Sequence, residues 1–363
     1  MKSGSIMIMA GGTGGHVFPA LAVACALRER DFEVVWLGTH RGLEARVVPA
    51  AGFEVEWVSI SGLRGKGPLT WLLAPFRLIA ALFQSLRVVR RRRPGAVLGM
   101  GGFVSGPGGL AAWLLRRPLV VHEQNAVAGL TNRILAPLAA RVLEAFPRSF
   151  PPGIEVETVG NPVREAILAV PPPADRFAGR QGPPRLLVFG GSQGALALNR
   201  VVPQALALAR FSPSPVIRHQ AGAGTLDITR RAYADAGVEA SIESFVEDMA
   251  AAYAWADLVI CRAGAITVAE LAAAGLAAVL VPFPSAVDDH QTANARFLAD
   301  AGAAEIVLQA DLNPAALARR FSALLGDRER LLEMATRARG LAMPEAGRRV
   351  TDICVSLAAG AGA

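Results

Sequence analysis

Tyrosine, lysine and cysteine are nearly absent from this chain of 363 residues: it has two tyrosines, only Lys2 and Lys66 as lysines, and three cysteines. Each scarcity excludes something. Cys25, Cys261 and Cys354 lie far apart, match no zinc or redox spacing, and are odd in number, which argues against a disulfide framework and for a reducing cytoplasm. With no basic–aromatic interleaving and no zinc-finger spacing, a nucleic-acid partner is not expected. No D-x-D pair occurs, so nothing marks a metal clamp on a diphosphate. Neither a metal nor an organic cofactor is expected. The apolar start, Ile6 to Ala10, stops at Gly11-Gly12 and is too short for a secretory signal.

What is present is apolar and basic. Hydrophobic residues make up 52% of the chain and mean hydropathy is +0.37, enough to build large cores. The formal charge of +7 suits anionic partners, although genomic base composition also explains a basic side made almost wholly of arginine.

Strand-like and helix-like runs alternate. "EVVWLG" (33–38), "GAVLGMGG" (95–102) and "PLVVHE" (118–123) read as parallel strands bounded by Gly or Pro. A second series opens at "RLLVFGGSQGALALNRVVPQALALA" (185–209), which echoes "IMIMAGGTGGHVFPALAVACAL" (6–27), and continues through "DLVICRAG" (257–264) and "AAVLVPFP" (277–284). The expected fold is α/β, two doubly wound Rossmann-like domains facing a cleft. By composition the boundary between the two halves is expected in "PPPADRFAGRQGPP" (171–184), too rich in Pro and Gly for an ordinary core element. The last helical segment, "EAGRRVTDICVSLAAG" (345–360), either closes the second domain or crosses back to the first.

Strand, glycine turn and helix is the arrangement that cradles phosphates. Gly14 and Gly15 permit close backbone approach, and Pro19 is expected in the first helical turn, where its missing N–H costs little. His16 then stands beside any ligand, as a general base or simply as a cap. "HEQNAVAGLTNR" (122–133) sets His122, Glu123 and Asn125 at a strand's carboxyl end. "GNPVR" supplies Arg164, a candidate for a phosphate. "RAGAITVAELAAAG" (262–275) predicts a helix N-terminus near Ala265–Thr267 that favours a diphosphate, with Glu270 one turn further in and suited to a vicinal diol. "DDHQTANARF" (288–297) puts His290 and Gln291 in the first turn of another helix.

Together, "GGTGGHVFPALA", "GGFVSGP", "HEQNAVAG", "GNPVR", "GGSQGA", "CRAGAITVAE" and "DDHQTANA" stand in an order that closely resembles the MurG family, the N-acetylglucosaminyltransferases of bacterial peptidoglycan synthesis. The resemblance spans nearly the whole chain. It implies a GT-B fold, with an acceptor and membrane-associating domain over 1–163, joined or not by 344–363, and a UDP-GlcNAc domain over 164–343. It implies inverting transfer of N-acetylglucosamine from UDP to the C4 hydroxyl of the muramoyl sugar of lipid I, giving lipid II and UDP. That activity serves cell-wall biogenesis, and through it cell shape and division. The implied UDP-GlcNAc contacts are Thr13, Gly14, Gly15, Asn125, Arg164, Ser192, Val246, Ala265, Ile266, Thr267, Val268, Ala269, Glu270 and Gln291. His16 is the candidate base and Glu123 the runner-up. Phe103 and His290 depart mildly from the family pattern, where tyrosine and glutamine are found.

Other readings are weaker. A nicotinamide oxidoreductase lacks its G-x-G-x-x-G spacing, and a non-catalytic binding module would not keep polar groups in both halves. A related lipid glycosyltransferase with another acceptor stands closest.

The resemblance also implies a peripheral protein on the cytoplasmic face of the plasma (inner) membrane, with anionic lipids and other cell-wall synthesis proteins as partners. "LTWLLAPFRLIAALFQSLRVVRRRRP" (69–94) fits an interfacial helix: Leu72, Phe76, Ile79, Phe83 and Leu86 recur at helical spacing, while Arg77, Gln84, Arg87 and Arg91 form a polar stripe. Pro75 and Arg77 near its middle make it a poor span. A core helix with a solvated basic end is the alternative.

Overall fold

In the computed structural model, residues 4–60, 68–191, 194–284 and 289–360 are described, the side chains of 68–72 excepted. The chain divides into two units, Met1–Val163 with Met343–Ala363, and Arg164–Ala342.

The first unit is a seven-stranded, wholly parallel sheet. Its strands are β1 (Ser5–Met9), β2 (Glu33–Gly38), β3 (Glu54–Trp57), β4 (Ala96–Gly99), β5 (Leu119–Glu123), β6 (Arg141–Glu144) and β7 (Glu157–Thr158), in the order β3-β2-β1-β4-β5-β6-β7. Parallel strands covered on both faces should be apolar throughout, and β1 shows why. Ile6 and Ile8 enter one core with Val17, Val23 and Leu27 of helix Gly14–Glu29, while Met7 and Met9 enter the opposite core with Ala81 and Val89 of helix Pro68–Arg92. The C-terminal helix Ala346–Gly360 lies in this unit: Val350 and Cys354 are fully buried in the first of those cores, and Arg30 pairs with Asp352 at 2.5 Å.

The second unit repeats the plan in six parallel strands: β8 (Arg185–Phe189), β9 (Val216–Gln220), β10 (Ser241–Glu243), β11 (Leu258–Cys261), β12 (Ala277–Leu280) and β13 (Ala304–Ile306), in the order β10-β9-β8-β11-β12-β13. The expected pair of doubly wound Rossmann-like domains is present.

Two local expectations need correction. Residues 171–184 do not hold the boundary, since the second unit already begins at Arg164. They hold helix Pro173–Phe177 of the second unit, where buried Arg176 donates to the carbonyls of Pro171 (3.1 Å), Tyr253 (3.1 Å), Ala274 (3.0 Å) and Gly275. Proline and glycine there mark tight turns, and the guanidinium closes carbonyls left open at the end of helix Ala265–Ala274. Pro19, in turn, is the sixth residue of its helix, in the second turn, because the helix already starts at Gly14.

Candidate active-site residues

In the first unit the glycine loop after β1 leads into helix Gly14–Glu29, whose N-cap, Thr13, makes no side-chain capping bond. Such an end presents unpaired N–H groups to an anion or a sugar oxygen. The loop is held from behind by Glu44, fully buried, which accepts from Gly12 N at 2.9 Å, from Thr39 N at 3.1 Å and from Thr39 Oγ1 at 2.7 Å. A second glycine loop, 101–104, nests against it. Gly102 has a φ of +84°, and a Cβ there would collide with the Gly11 carbonyl; one on Gly101 would lie 2.8 Å from the His16 ring.

His16 stands in the first turn and is part-buried. Its Nδ1 lies 2.7 Å from Gln124 Oε1, so the ring is tied to the loop after β5. Gln124 Nε2 is 2.9 Å from His122 Nδ1, and His122 Nε2 donates to the Gly160 carbonyl at 2.9 Å. Complete burial lowers the pKa of His122, the Gly160 bond only partly opposing it.

Glu123 does not stand ready as a base. It is 1% exposed, and its carboxylate accepts from Asn125 N (2.9 Å), Asn125 Nδ2 (3.1 Å), Gly129 N (3.0 Å) and Asn132 Nδ2 (2.8 Å). Both oxygens are engaged in folding the loop that carries Gln124 and Asn125, a role that polar satisfaction of a buried carboxylate requires.

In the second unit, helix Ala265–Ala274 follows β11 with Gly264 as N-cap, a residue without a side chain to close the first N–H groups. Glu270, on its second turn, is 7% exposed; it accepts from Tyr253 Oη at 3.1 Å and from Arg164 Nη2 at 2.9 Å. Burial raises the Glu270 pKa, and the Arg164 charge works against that shift. Arg164, expected on a phosphate, is thus paired with the carboxylate through one guanidinium nitrogen. Gln291 Oε1 accepts from Phe283 N at 2.9 Å in the first turn of helix His290–Ala299. Val246 is buried in the loop after β10. Ser192 lies outside the described residues.

Sequence reasoning passed over Glu44, Tyr253, Asn132 and the amide of Gln124. Gln124 sat inside a quoted motif, but a neutral amide carries no titration signal. Glu44 and Tyr253 are joined to their partners only by the fold.

The whole chain is similar to known glycosyltransferases. The glycosyltransferase family 28 N-terminal domain matches residues 6–144, and the glycosyltransferase family 28 C-terminal domain matches 185–350. Relatives from Nitrosococcus oceani (57% identical, covering 98% of this chain and 99% of the relative) and Alkalilimnicola ehrlichii (60% identical, covering 96% and 98%) are both named UDP-N-acetylglucosamine--N-acetylmuramyl-(pentapeptide) pyrophosphoryl-undecaprenol N-acetylglucosamine transferase. A crystal structure of Acinetobacter baumannii MurG superposes with a TM-score of 0.84 at 44% identity, covering 97% of this chain and 99% of that one. A UDP-GlcNAc 2-epimerase from Neisseria meningitidis shares the fold, at a TM-score of 0.66 and 13% identity over 97% of this chain and 99% of that one.

Proposed function

The chain belongs to glycosyltransferase family 28, and from that premise we propose that it transfers N-acetylglucosamine from UDP-GlcNAc to the C4 hydroxyl of the muramoyl sugar of lipid I, forming lipid II and UDP. The observation that carries this is identity of 54–60% over essentially the full chain to transferases whose name specifies both donor and acceptor.

The chemistry follows from the residues. Glu270, paired with Arg164, accepts the two ribose hydroxyls, and the open N-terminus of helix Ala265–Ala274 holds the diphosphate. Thr13, Gly14, Gly15 and Asn125 of the first unit and Val246 and Gln291 of the second are the further UDP-GlcNAc contacts that the family implies, Gln291 on the sugar hydroxyls. The acceptor O4 attacks the anomeric carbon from the face opposite UDP. The C1–O4 bond forms, the bond from C1 to the β-phosphate oxygen breaks, and configuration inverts. His16 takes the O4 proton as general base, and the charge developing on UDP is stabilised by the helix N-terminus and Arg164. Incubation with labelled UDP-GlcNAc and lipid I should yield labelled lipid II and an equivalent of UDP. Absence of transfer to lipid I, with transfer to another lipid-linked sugar, overturns the acceptor assignment.

No helix among the described residues is long and apolar enough to cross a membrane. Helix Pro68–Arg92 leaves Phe76, Ile79 and Phe83 70%, 52% and 67% exposed, which supports the interfacial reading over the core one. Leu72 belongs to the helix, its side chain outside the described set. Arg87 is exposed, and Arg91, also exposed, has its charge paired with Glu56. We assign this surface to the anionic cytoplasmic leaflet that holds the acceptor's lipid tail, each free arginine contributing on the order of 1 kcal/mol. Flotation with anionic vesicles should show binding that salt reduces without abolishing. Replacing Phe76, Ile79 and Phe83 by serine should remove the salt-resistant part, and a folded variant that floats like the parent places the contact elsewhere.

A further inference from the structure

We propose that Gln124 is a positioning residue that holds His16 as the Nδ1–H tautomer, so that Nε2 is the unprotonated nitrogen that receives the acceptor proton. The catalytic half of this rests on the base assignment above; the tautomer itself rests on geometry alone.

The direction of the chain is set at its far end. A carbonyl only accepts, so His122 Nε2, 2.9 Å from the Gly160 oxygen, carries a hydrogen. Its Nδ1 faces the same end of the Gln124 amide as the His122 carbonyl, which only accepts, so that end is the donor and Nδ1 the acceptor; complete burial, which disfavours the imidazolium, acts in the same direction. Gln124 Nε2 lies 2.9 Å from that nitrogen and 3.0 Å from the His122 carbonyl, and two acceptors at one end of an amide fix which end is nitrogen. Oε1 is thereby turned to His16 Nδ1 at 2.7 Å, and because an amide oxygen only accepts, Nδ1 is the donor. A neutral imidazole protonated at Nδ1 has its lone pair at Nε2.

The amide has no freedom to reverse this. Gln124 is fully buried, and Asn161 Nδ2 donates to its backbone carbonyl at 3.0 Å. The His16 ring is admitted beside Gly101 only because that residue has no Cβ. The same logic orients the histidine of the Ser-His-Asp triad, where the wrong tautomer costs about 10⁴-fold in kcat. Glutamine is uncharged and offers orientation without ion pairing, so the expected penalty for losing it is smaller, about 10–10²-fold.

The test is a long-range ¹H–¹⁵N spectrum of the full chain labelled at histidine, with His16 assigned from its difference against His16→Ala. His16 should appear protonated at Nδ1, and His122 at Nε2. Once assigned, the wild-type spectrum decides by itself: a His16 ring protonated chiefly at Nε2 overturns the proposal. In Gln124→Leu both His16 tautomers should be populated, with kcat lowered and KM for UDP-GlcNAc unchanged; Gln124→Glu, which keeps an acceptor, should restore the Nδ1–H form. An unaltered tautomer in a folded Gln124→Leu variant also overturns it. Should His16→Ala retain its kcat while the tautomers are as expected, the base reading falls and control by Gln124 stands.

Discussion

His122 and His219, one in each unit, stand at the same point of two strands that differ in their place in the sheet. Each is the penultimate residue of a parallel strand, β5 and β9, and each is fully buried with its pKa lowered by burial, His219 to about 3. Their networks differ in where they end. His219 Nε2 donates to Asn199 Oδ1 at 3.0 Å, and its Nδ1 accepts from Tyr233 Oη at 2.9 Å. Asn199 then donates to the Ala221 carbonyl and to Thr225 Oγ1, so the network closes on groups of the core. The His122 network passes through Gln124 and emerges at part-buried His16, in the first turn of a helix whose N-terminus has no side-chain cap. A perturbed pKa therefore does not distinguish a reactive group from a structural one. The terminus of the hydrogen-bond chain does.

The sharpest way to break this comparison is His16→Ala. Removing the open end should lower kcat about 10²–10⁴-fold while leaving UDP-GlcNAc binding and thermal stability nearly unchanged. A variant with parental kcat would show that the open network is as structural as the closed one.

The second unit has an open network of its own, running from fully buried Tyr253 through Glu270 to Arg164, whose side chain is 48% exposed. Glu270→Ala should weaken UDP-GlcNAc and UDP alike by roughly 1.5–3 kcal/mol, the usual worth of hydrogen bonds to a charged group. Calorimetry checks this directly, and an unchanged UDP affinity removes Glu270 from the ribose.

Much of this was legible in sequence. "EVVWLG" became β2 over the same residues, and the glycine loops led into the helices expected of them. Apolar runs between turn residues dictate buried parallel strands whatever lies far away. Contacts between distant segments left no such local mark. Glu44 reads as an ordinary surface acid in a short helix, yet it closes on Gly12, 32 positions back. The loop-anchoring bonds of Glu123 are equally invisible in sequence, because a carboxylate at a strand end looks the same whether it faces substrate or anchors its own loop. Residues 171–184 have the composition of a boundary yet lie inside the second unit, because composition reports turns and says nothing of where Arg176 points.

The smallest effect concerns the closed network, and it appears only in acid. His219 has a folded pKa of about 3 against roughly 6.5 when unfolded, so between those values the unfolded state binds the extra proton. Stability then rises with pH across that window and is lost as pH falls from about 6.5, by about 2 kcal/mol at pH 5. His122 acts with the same sign in the first unit, whereas Glu270, its pKa raised, acts with the opposite one. The difference between parent and variant isolates His219 from both. His219→Gln keeps a donor for Asn199 and an acceptor for Tyr233 but cannot titrate. Its melting temperature should fall less than the parent's between pH 7.5 and pH 5, by about 4–8 °C for a unit of this size. Parallel losses in the two proteins would mean that His219 is solvated or charged in the fold, and that its network is not closed. Transfer at pH 7.5 should be the same in both, because no group that His219 touches leads to a ligand.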